Sequence, residues 1–343
     1  MADDARRAQL LAAKLTALAA PHLDGVDTER LSYPGGAALA AGSTVWVLLD
    51  AEPVTALGAA LVWADRQGAQ HVHLVADAVH AGVLARRATC FEPAPTVWSI
   101  EGVALEPAVP APVPVAEPAQ PAPELAELLV DADLEVLVEG GIVRGEILGL
   151  EVARIAHGTS TSGEPIDGPL LEVGVGRADR ELTGMLHGNL DPVDQLARVS
   201  EIVRASRRVG AEPHPLNQLV PERWLRARLV AEPSLVGLAD LHAASAAIPR
   251  PNLRDKGVAI AVGTRPDGAR VVVACSVGID LDLIPAAADA RLALAPDADL
   301  LVVVPERDAH PVTQALAARL ARPAELLALP GDWRGDPTPY PQH

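Results

Sequence analysis

The sequence predicts an α/β protein, with a small parallel α/β domain at the N-terminus followed by a region in which helices accompany a mixed sheet. Three observations lead to this prediction. Apolar runs of strand length alternate with helical segments in the first 105 residues, hairpin patterns follow later in the chain, and 49% of the residues are hydrophobic, as in a globular protein. The longest apolar runs stay far below the roughly 20 residues that a membrane-spanning helix needs.

The N-terminal domain is predicted over residues 1–105. Leucines at helical spacing predict its first helix over residues 6–20. Three apolar segments then predict strands, and the first two of these are each followed by a helical segment. In chain order they are the strand 44–50, the helix 52–69, the strand 71–77, the helix 78–91 and the strand 96–105. Short connections of this kind favour parallel strands joined by crossover helices.

Residues 106–123 alternate proline with alanine and valine. Because proline has no backbone N–H, such a segment holds few backbone hydrogen bonds. The pattern therefore predicts a semi-rigid linker between the N-terminal domain and the rest of the chain.

The chain beyond the linker is predicted to contain several regions. They are a helix–strand–hairpin–helix region over 124–210, a helical and irregular insert over 211–256, a C-terminal α/β region over 257–330 and a flexible tail over 331–343. In the first region, residues 145–155 are predicted as a single strand and residues 169–176 as its hairpin partner. The helix that follows over 191–208 has Asp191 as a candidate N-cap and Pro192 at its first position.

Charge and composition restrict the classes of function. The formal net charge of −17 repels the phosphates of nucleic acids unless basic residues are gathered locally. Aromatic residues make up only 2% of the chain, so stacking platforms for single-stranded nucleic acid are scarce. Cys90 and Cys275 lie in apolar settings, as small core residues do, and the N-terminus lacks the pattern of a secretion signal. We therefore expect a cytoplasmic protein without disulfides and outside the membrane.

Two acids and a glutamine fall on the predicted hairpin and on the helix that follows it. Glu151 lies in GLEVARI, Glu172 in LEVGV and Gln195 in DQLARV. With their order of helix, strand, hairpin and helix, these segments resemble the PD-(D/E)XK nuclease superfamily, particularly its smaller mismatch- and branch-cleaving endonucleases. The resemblance implies a Mg²⁺ ion held by the two acids, a glutamine on the helix, and a lysine two residues beyond the second acid that polarises the attacking water.

The lysine position of that motif falls on Gly174 in this chain. Arg177 follows three residues later and is suited to stabilising negative charge, but an arginine keeps its proton and does not activate water. Glu146, Glu151 and Glu172 still offer carboxylates to Mg²⁺, which accepts one or two and keeps several waters. The alternative, which we favour because charged residues are usually exposed, is a set of solvated glutamates on a half-exposed hairpin.

The same outline occurs again over residues 257–282, where a hairpin and a turn lead into a helix. No acid stands at the motif positions near Ala274 and Ser276. Asp280 and Asp282 follow the strand, where they are suited to a cation. The alternative, which we favour, is that they are turn and helix-cap acids. The sequence leaves both this segment and the earlier hairpin open as the nuclease-like core.

Arginines are dense on two predicted helical segments around a tryptophan. The candidate binding residues are Arg207, Arg208, Arg223, Trp224 and Arg226. An arginine surface of this kind is suited to the anionic groups of a protein or nucleic-acid partner. The alternative is a solvated helix face whose arginines pair with nearby glutamates.

These observations lead to three hypotheses about function. The first, which we adopt, is a non-catalytic binding or interaction protein built on a degenerate nuclease-like fold, because the motif lysine is absent from both possible cores. The second is a Mg²⁺-dependent nuclease with a rearranged site, in which Arg177 and Gln195 assist the two acids. The third is a small-molecule α/β enzyme with Asp50 and Asp77 at the carboxyl ends of N-terminal strands. The partner and the oligomeric state stay open.

Overall fold

The computed structural model describes residues 2–23, 25–187, 191–212, 214–248 and 252–335. The helices are α1 (Ala2–Ala19), α2 (Leu57–Arg66), α3 (Ala78–Ala88), α4 (Pro123–Asp131), α5 (Gly176–His187), α6 (Pro192–Ser206), α7 (Pro221–Ala231), α8 (Leu283–Leu294) and α9 (Pro311–Ala318). The strands are β1 (Thr28–Leu31), β2 (Gly36–Ala41), β3 (Thr44–Leu49), β4 (His71–Asp77), β5 (Thr96–Glu101), β6 (Ala104–Pro107), β7 (Glu135–Glu139), β8 (Ile142–Ile147), β9 (Leu150–Thr159), β10 (Pro165–Val173), β11 (Asp240–Ala244), β12 (Ala259–Thr264), β13 (Arg270–Cys275), β14 (Asp299–Pro305) and β15 (Glu325–Leu329).

Helices accompany sheets of six, four and five strands within the described residues, so the predicted α/β class is confirmed. The chain divides into two compact units. The first contains Met1–Val113, Leu281–Leu292 and His310–Glu325, and the second contains the remaining residues. Among the described residues, every helix is too short or too polar to cross a membrane. The predicted tail lies outside the described residues from position 336 onward.

The first unit is built on the six-stranded sheet, whose order is β1-β2-β3-β4-β5-β6. β3, β4 and β5 run parallel, as the alternating strands and helices predict. Antiparallel strands extend this parallel centre on both edges. The sequence prediction omits β1 and β2, and it joins β5 to β6, which a turn at Gly102 with φ +63° separates. Glycine takes this left-handed backbone conformation without steric cost.

The core of this unit forms where α1 packs on the sheet. Leu15 and Leu18 of α1 pack with Trp46 and Leu48 of β3. Val47, which lies between Trp46 and Leu48 on β3, points to the other face of the sheet and is also buried. β3 is therefore apolar along its whole length, as expected of a parallel strand covered on both faces.

A fully buried carboxylate, Asp289 of α8, is shared by two arginines of α3. Arg86 donates to its two oxygens at 2.8 and 3.0 Å, and Arg87 Nε donates to it at 3.2 Å. Arg87 also donates to Asp282 at 2.7 Å and to the carbonyl of Val54 at 2.8 Å. Asp282, predicted as a possible cation ligand, is thus an ion-pair partner of an arginine.

Part of the proline-rich segment is attached to α3. The N–H of Ala111 donates to the carbonyl of Gly82 at 2.8 Å, and Arg86 donates to the carbonyl of Pro112 at 2.9 Å. A Cβ added at Gly82 would lie 3.3 Å from the carbonyl oxygen of Val109, so glycine permits this close approach. Residues 109–112 therefore lie against the helix.

Histidine and tryptophan rings stack on one face of the six-stranded sheet. The rings of Trp46 and His73 lie 4.1 Å apart and nearly parallel, and His22 lies 4.5 Å from Trp98. Trp98 Nε1 donates to His73 Nδ1 at 2.9 Å, which requires that Nδ1 carry no proton. Burial, together with the nearby His71 and His22, lowers the pKa of His73 to about 4.

We expect the free energy of unfolding to fall as the pH decreases from 6.5 towards 4. The reason is that His73 binds a proton in the unfolded chain over this range but stays neutral in the folded chain. Taken at its full value, the pKa shift corresponds to a loss of about 2 kcal/mol by pH 5, and solvent screening of this half-buried ring makes the loss smaller. His73→Gln keeps an acceptor for Trp98 but does not titrate, so urea unfolding at several pH values should show a shallower slope. The same substitution at the exposed His242 serves as the control. Equal slopes for wild type and His73→Gln would contradict the assignment.

The four-stranded sheet of the second unit is antiparallel throughout, in the order β10-β9-β8-β7. The predicted hairpin between β9 and β10 is confirmed. The predicted single strand over 145–155 is wrong, because a turn at Leu148 (φ 47°) and Gly149 (φ 76°) separates β8 from β9. A Cβ at Gly149 would lie 2.3 Å from the carbonyl carbon of Arg223, so the backbone of α7 is in close contact with this turn.

α4 and α6 pack on one face of the four-stranded sheet. Leu129 of α4 and Leu196 and Val203 of α6 share a core with Ile155 and Leu171 of the strands. α6 begins as predicted, with Pro192 at its first turn and the side chain of Asp191 accepting from the N–H of Val193 at 2.7 Å. This face is the apolar face of the sheet.

α7 lies between the two sheets of the second unit. The five-stranded sheet has the order β11-β12-β13-β14-β15, with β13 and β14 parallel. Leu225 and Leu229 of α7 are fully buried in the core of that sheet. Arg223 and Arg226 of the same helix bond to residues of the four-stranded sheet. α7 therefore supplies apolar contacts to one sheet and cations to the other.

Candidate functional site

The face of the four-stranded sheet opposite α4 and α6 carries charged side chains. Arg144 of β8 lies directly opposite Arg154 of β9, which lies opposite Glu172 of β10. Directly opposed residues share a face, and Glu146 shares it because it is two residues beyond Arg144. The acids are not solvated as the favoured sequence interpretation expected: Glu146, Glu151 and Glu172 are 1%, 4% and 9% exposed. This charged face is the candidate site.

Glu146 is the most deeply buried acid of the charged face. One carboxylate oxygen accepts from Arg223 at 2.7 Å and the other from Arg226 at 2.7 Å. Arg223 also donates to Glu139 at 2.8 Å. Burial by itself raises the pKa of Glu139, but Arg223 and Arg144 more than offset that effect, so its pKa lies below the usual value. These contacts form a connected network of alternating acids and arginines.

Glu151 joins this network next to a bulge in β9. Its carboxylate accepts from Arg144 and, at 2.8 Å, from Nη1 of Arg180 on α5. The guanidinium of Arg180 is itself largely buried, and burial lowers its pKa although Glu151 counteracts the shift. Both oxygens of Glu151 are therefore engaged by arginines.

Glu172 is held by different donors. Arg154 Nε donates to it at 2.8 Å, and Thr161 donates from both its backbone N–H and its hydroxyl. Burial raises the pKa of Glu172, but the hydrogen bonds from Thr161 and Arg154 outweigh burial and hold the pKa below its usual value. The carboxylate is thus stabilised in its charged form without a metal ion.

Mg²⁺ does not fit this arrangement. The ion needs open carboxylate oxygens and room for its waters, whereas both oxygens of Glu151 and Glu172 already accept hydrogen bonds. The guanidinium charges of Arg144, Arg154 and Arg180 would also repel a divalent cation. In the part of the chain that the structure describes, no group of three His, Cys, Asp or Glu side chains is placed to hold a metal.

Gly174, at the motif's lysine position, has a backbone conformation that disfavours any other residue, and its neighbours lie close. Its φ is +140°, and an added Cβ would lie 2.9 Å from Oδ2 of Asp179 and 3.0 Å from the backbone nitrogen of Arg180. Lys14 lies 3.8 Å from Asp77 in the first unit, and Lys256 donates to the carbonyl of Ile279. The cations beside the acids are therefore arginines, which keep their protons.

Arg177 and Gln195 do not complete the predicted catalytic set. The side chain of Arg177 is 75% exposed and donates to Glu181 at 2.6 Å, one turn further along α5. Gln195 lies on α6, which packs on the apolar face of the sheet. The structure thus brings Glu151 and Glu172 to the charged face and leaves both assisting residues elsewhere.

The predicted arginine patch lies mostly in the protein interior. Arg223, Trp224 and Arg226 belong to α7, and Trp224 is 1% exposed. Arg207 is also buried: it donates to the carbonyls of Leu148, Leu216 and Leu219 at 2.8–2.9 Å, and its guanidinium lies 4.6 Å from the Trp224 ring centre. Of the five candidates, only Arg208 is exposed. Most of these side chains make contacts inside the protein and are not accessible to a partner.

Sequence reasoning missed most of the donors at this face. Arg144 and Arg154 are strand residues that pair with the acids, and Arg180 lies on α5, a helix that the prediction omits. Glu135, opposite Glu146, was also missed. Its Oε1 is buried without a hydrogen-bond partner in the described structure, and burial raises its pKa. The sequence feature that could have indicated these ion pairs is the presence of opposite charges at alternate positions of the strands.

The acids of the third hypothesis also have partners. Asp50 accepts from Arg7, and Asp77 lies 3.8 Å from Lys14, both cations belonging to α1.

Comparisons with protein-family models, curated proteins and solved structures gave no match. The resemblance to PD-(D/E)XK nucleases therefore stays a prediction from sequence, and the geometry of the charged face carries the functional argument.

We expect Glu146→Ala to destabilise the second unit by about 3 kcal/mol, because it removes the carboxylate that pairs with the buried Arg226 and with Arg223 at 2.7 Å each. Urea unfolding would measure the loss. Glu164→Ala, at an exposed position, is the matched control and should change the free energy of unfolding by less than about 0.5 kcal/mol. Similar values for the two variants would show that the network is not needed for stability.

Gly174→Ala should also destabilise the protein, by more than Gly163→Ala. Both glycines have positive φ, but a Cβ at Gly163 meets nothing within 4 Å, whereas one at Gly174 meets Asp179 and Arg180. Comparing the thermal midpoints of the two variants measures the combined cost of these contacts and of the less accessible φ of Gly174, +140° against +88° at Gly163. Backbone strain of this kind costs of order 1–3 kcal/mol. Equal midpoints would mean that space for a side chain exists at position 174.

Proposed function

We propose that this chain is a non-catalytic binding or interaction protein built on a degenerate nuclease-like fold, and that it acts in the cytoplasm. The observation that supports this proposal is that the acids of the charged face are already bonded, mainly to arginines. Glu151 and Glu172, the acids that a nuclease would use for Mg²⁺, accept their hydrogen bonds from Arg144, Arg180, Arg154 and Thr161.

The described side chains that contact Glu151 and Glu172 are arginines and Thr161, which are not suited to accept a proton from water. A hydrolase of this kind needs a group that takes or polarises a proton of water next to the metal. The position that would carry it is Gly174, whose φ of +140° disfavours any other residue and where a Cβ would require Asp179 and Arg180 to shift. Arg180, which donates to Glu151 at 2.8 Å, is suited to hold a carboxylate but not to accept a proton. The charged face therefore favours a structural role over a catalytic one.

The experiment that tests this proposal offers the full chain a panel of linear, branched and mismatched DNA and of RNA, with Mg²⁺ and with Mn²⁺. We expect no cleavage. We also expect no shift of the thermal unfolding midpoint on adding Mg²⁺, because a ligand raises the midpoint only if it binds the folded state. Metal-dependent cleavage that Glu172→Ala abolishes and the exposed Glu164→Ala retains would overturn the proposal.

A further inference from the structure

The tip of the β9–β10 hairpin, residues 158–168, folds back onto the charged face. Thr161 of this tip lies seven residues beyond Arg154 of β9. A straight strand of that length would separate the two residues by roughly 20 Å, which is farther than an arginine side chain extends. Instead, Arg154 Nη2 donates to the Thr161 hydroxyl at 2.6 Å, and Thr161 donates to Glu172 from its backbone N–H and its hydroxyl. The hairpin tip therefore covers part of the charged face.

Two glycines lie where the hairpin bends. The pairing of β10 with β9 changes register between Pro165 and Pro169, because β10 carries extra residues there. Gly158 of β9 and Gly168 of β10 lie within this shift, with φ of +71° and +83°. A Cβ added at either glycine would meet nothing within 4 Å. Glycine has a wide choice of backbone angles, and a hinge needs residues that absorb a change in those angles. The two glycines are therefore suited to act as a pair of hinges.

The hairpin tip is held on the charged face by polar contacts. Ile155 and Leu171 belong to the apolar core of the sheet and lie on the strands just before and just after the tip. Within the tip, the N–H of Ser160 donates to the carbonyl of Glu164 at 2.8 Å, so the turn is closed on itself. Among the described residues, the hydrogen bonds that join the tip to the charged face are those of Thr161. Breaking them would free the tip without disturbing the apolar core.

The contacts of Thr161 determine how accessible one ion pair is. One carboxylate oxygen of Glu172 accepts from the backbone N–H of Thr161, and the other accepts from the Thr161 hydroxyl and from Arg154 Nε. With the tip in place, the side chains of Arg154 and Glu172 are 19% and 8% exposed. If the tip moved away, the first oxygen would lose its donor and Nη2 of Arg154 would lose its acceptor.

We propose that the hairpin tip is a lid, which opens on Gly158 and Gly168 and is held closed by Thr161 over Glu172 and Arg154. In the closed state the lid excludes solvent and ligands from this ion pair, and in the open state it admits them. Segments that open in this way have few buried apolar contacts, as the tip has. The inference goes beyond the proposed function, because it concerns access to the charged face and does not depend on what that face binds.

Phenylglyoxal, which modifies accessible guanidinium groups, measures the opening in the full chain when peptide mass spectrometry identifies the modified residues. Arg177, whose side chain is 75% exposed, serves as the reference for free access. Arg226, whose side chain is 2% exposed, reports unfolding of the whole chain. We expect Arg154 to react more slowly than Arg177 and faster than Arg226.

Variants test the two parts of the lid. Thr161→Val removes the hydroxyl that bonds to both members of the ion pair and should raise the modification rate of Arg154 by about tenfold. Thr159→Val, the same change at an exposed position of the tip, is the matched control and should leave the rate unchanged. Gly168→Ala keeps every hydrogen-bonding group but disfavours the φ of the closed lid, so it should also raise the rate. Gly210→Ala, at an equally open positive-φ position outside the tip, should not.

Three outcomes would overturn the lid. The first is a modification rate of Arg154 that is equal in Thr161→Val and Thr159→Val. The second is a rate that Gly168→Ala leaves at the wild-type value. The third is a parallel rise at Arg226, which would mean that the variants unfold as a whole instead of opening at the hinges.

Hydrogen exchange of the wild-type chain gives a further test that needs no variant. The amides of the tip should exchange at least about tenfold faster than those of β9 and β10 around Ile155 and Leu171, because the lid opens while the core stays closed. Exchange of the tip and of the core segments at one common rate would overturn the proposal.

Discussion

The second unit depends on the compensation of one buried charge, that of Glu146. A carboxylate removed from water is tolerated only when cations and hydrogen bonds replace its hydration. Arg223 and Arg226 provide that replacement at 2.7 Å each, and both come from α7. The same helix buries leucines against the five-stranded sheet. α7 is therefore held in place both by its ion pairs with the four-stranded sheet and by its apolar contacts with the five-stranded sheet.

This arrangement explains how a sheet face can hold the acids of a hydrolase without its chemistry. What matters for a metal is whether carboxylate oxygens are open, and here the guanidinium groups of Arg144, Arg154 and Arg180 occupy them. A lysine in such a place could lose its proton when buried, whereas arginine keeps its charge and binds carboxylates with a rigid fork. A chain with two lysines among 28 basic residues has few ways to build a base beside its acids.

Local patterns in the sequence predicted much of the fold. The parallel strands of the first unit, the β9–β10 hairpin and the N-cap at Asp191 follow from apolar periodicity and capping chemistry. The turn at Leu148 and Gly149 was missed because it lacks the asparagine or aspartate that usually marks such turns. α5 was missed because its sequence is mostly polar. The partners of Glu151 and Glu172 depend on strand register and on residues far along the chain, which periodicity does not reveal.

Asp289 of α8, which neutralises Arg86 and Arg87, lies about two hundred positions further along the chain than the arginines that it pairs with. During synthesis from the N-terminus, both guanidinium groups therefore emerge from the ribosome long before their carboxylate exists. The first unit cannot reach its final packing until residues 281–325 have been synthesised, and the four-stranded sheet, whose strands all precede them, has the opportunity to form before it does.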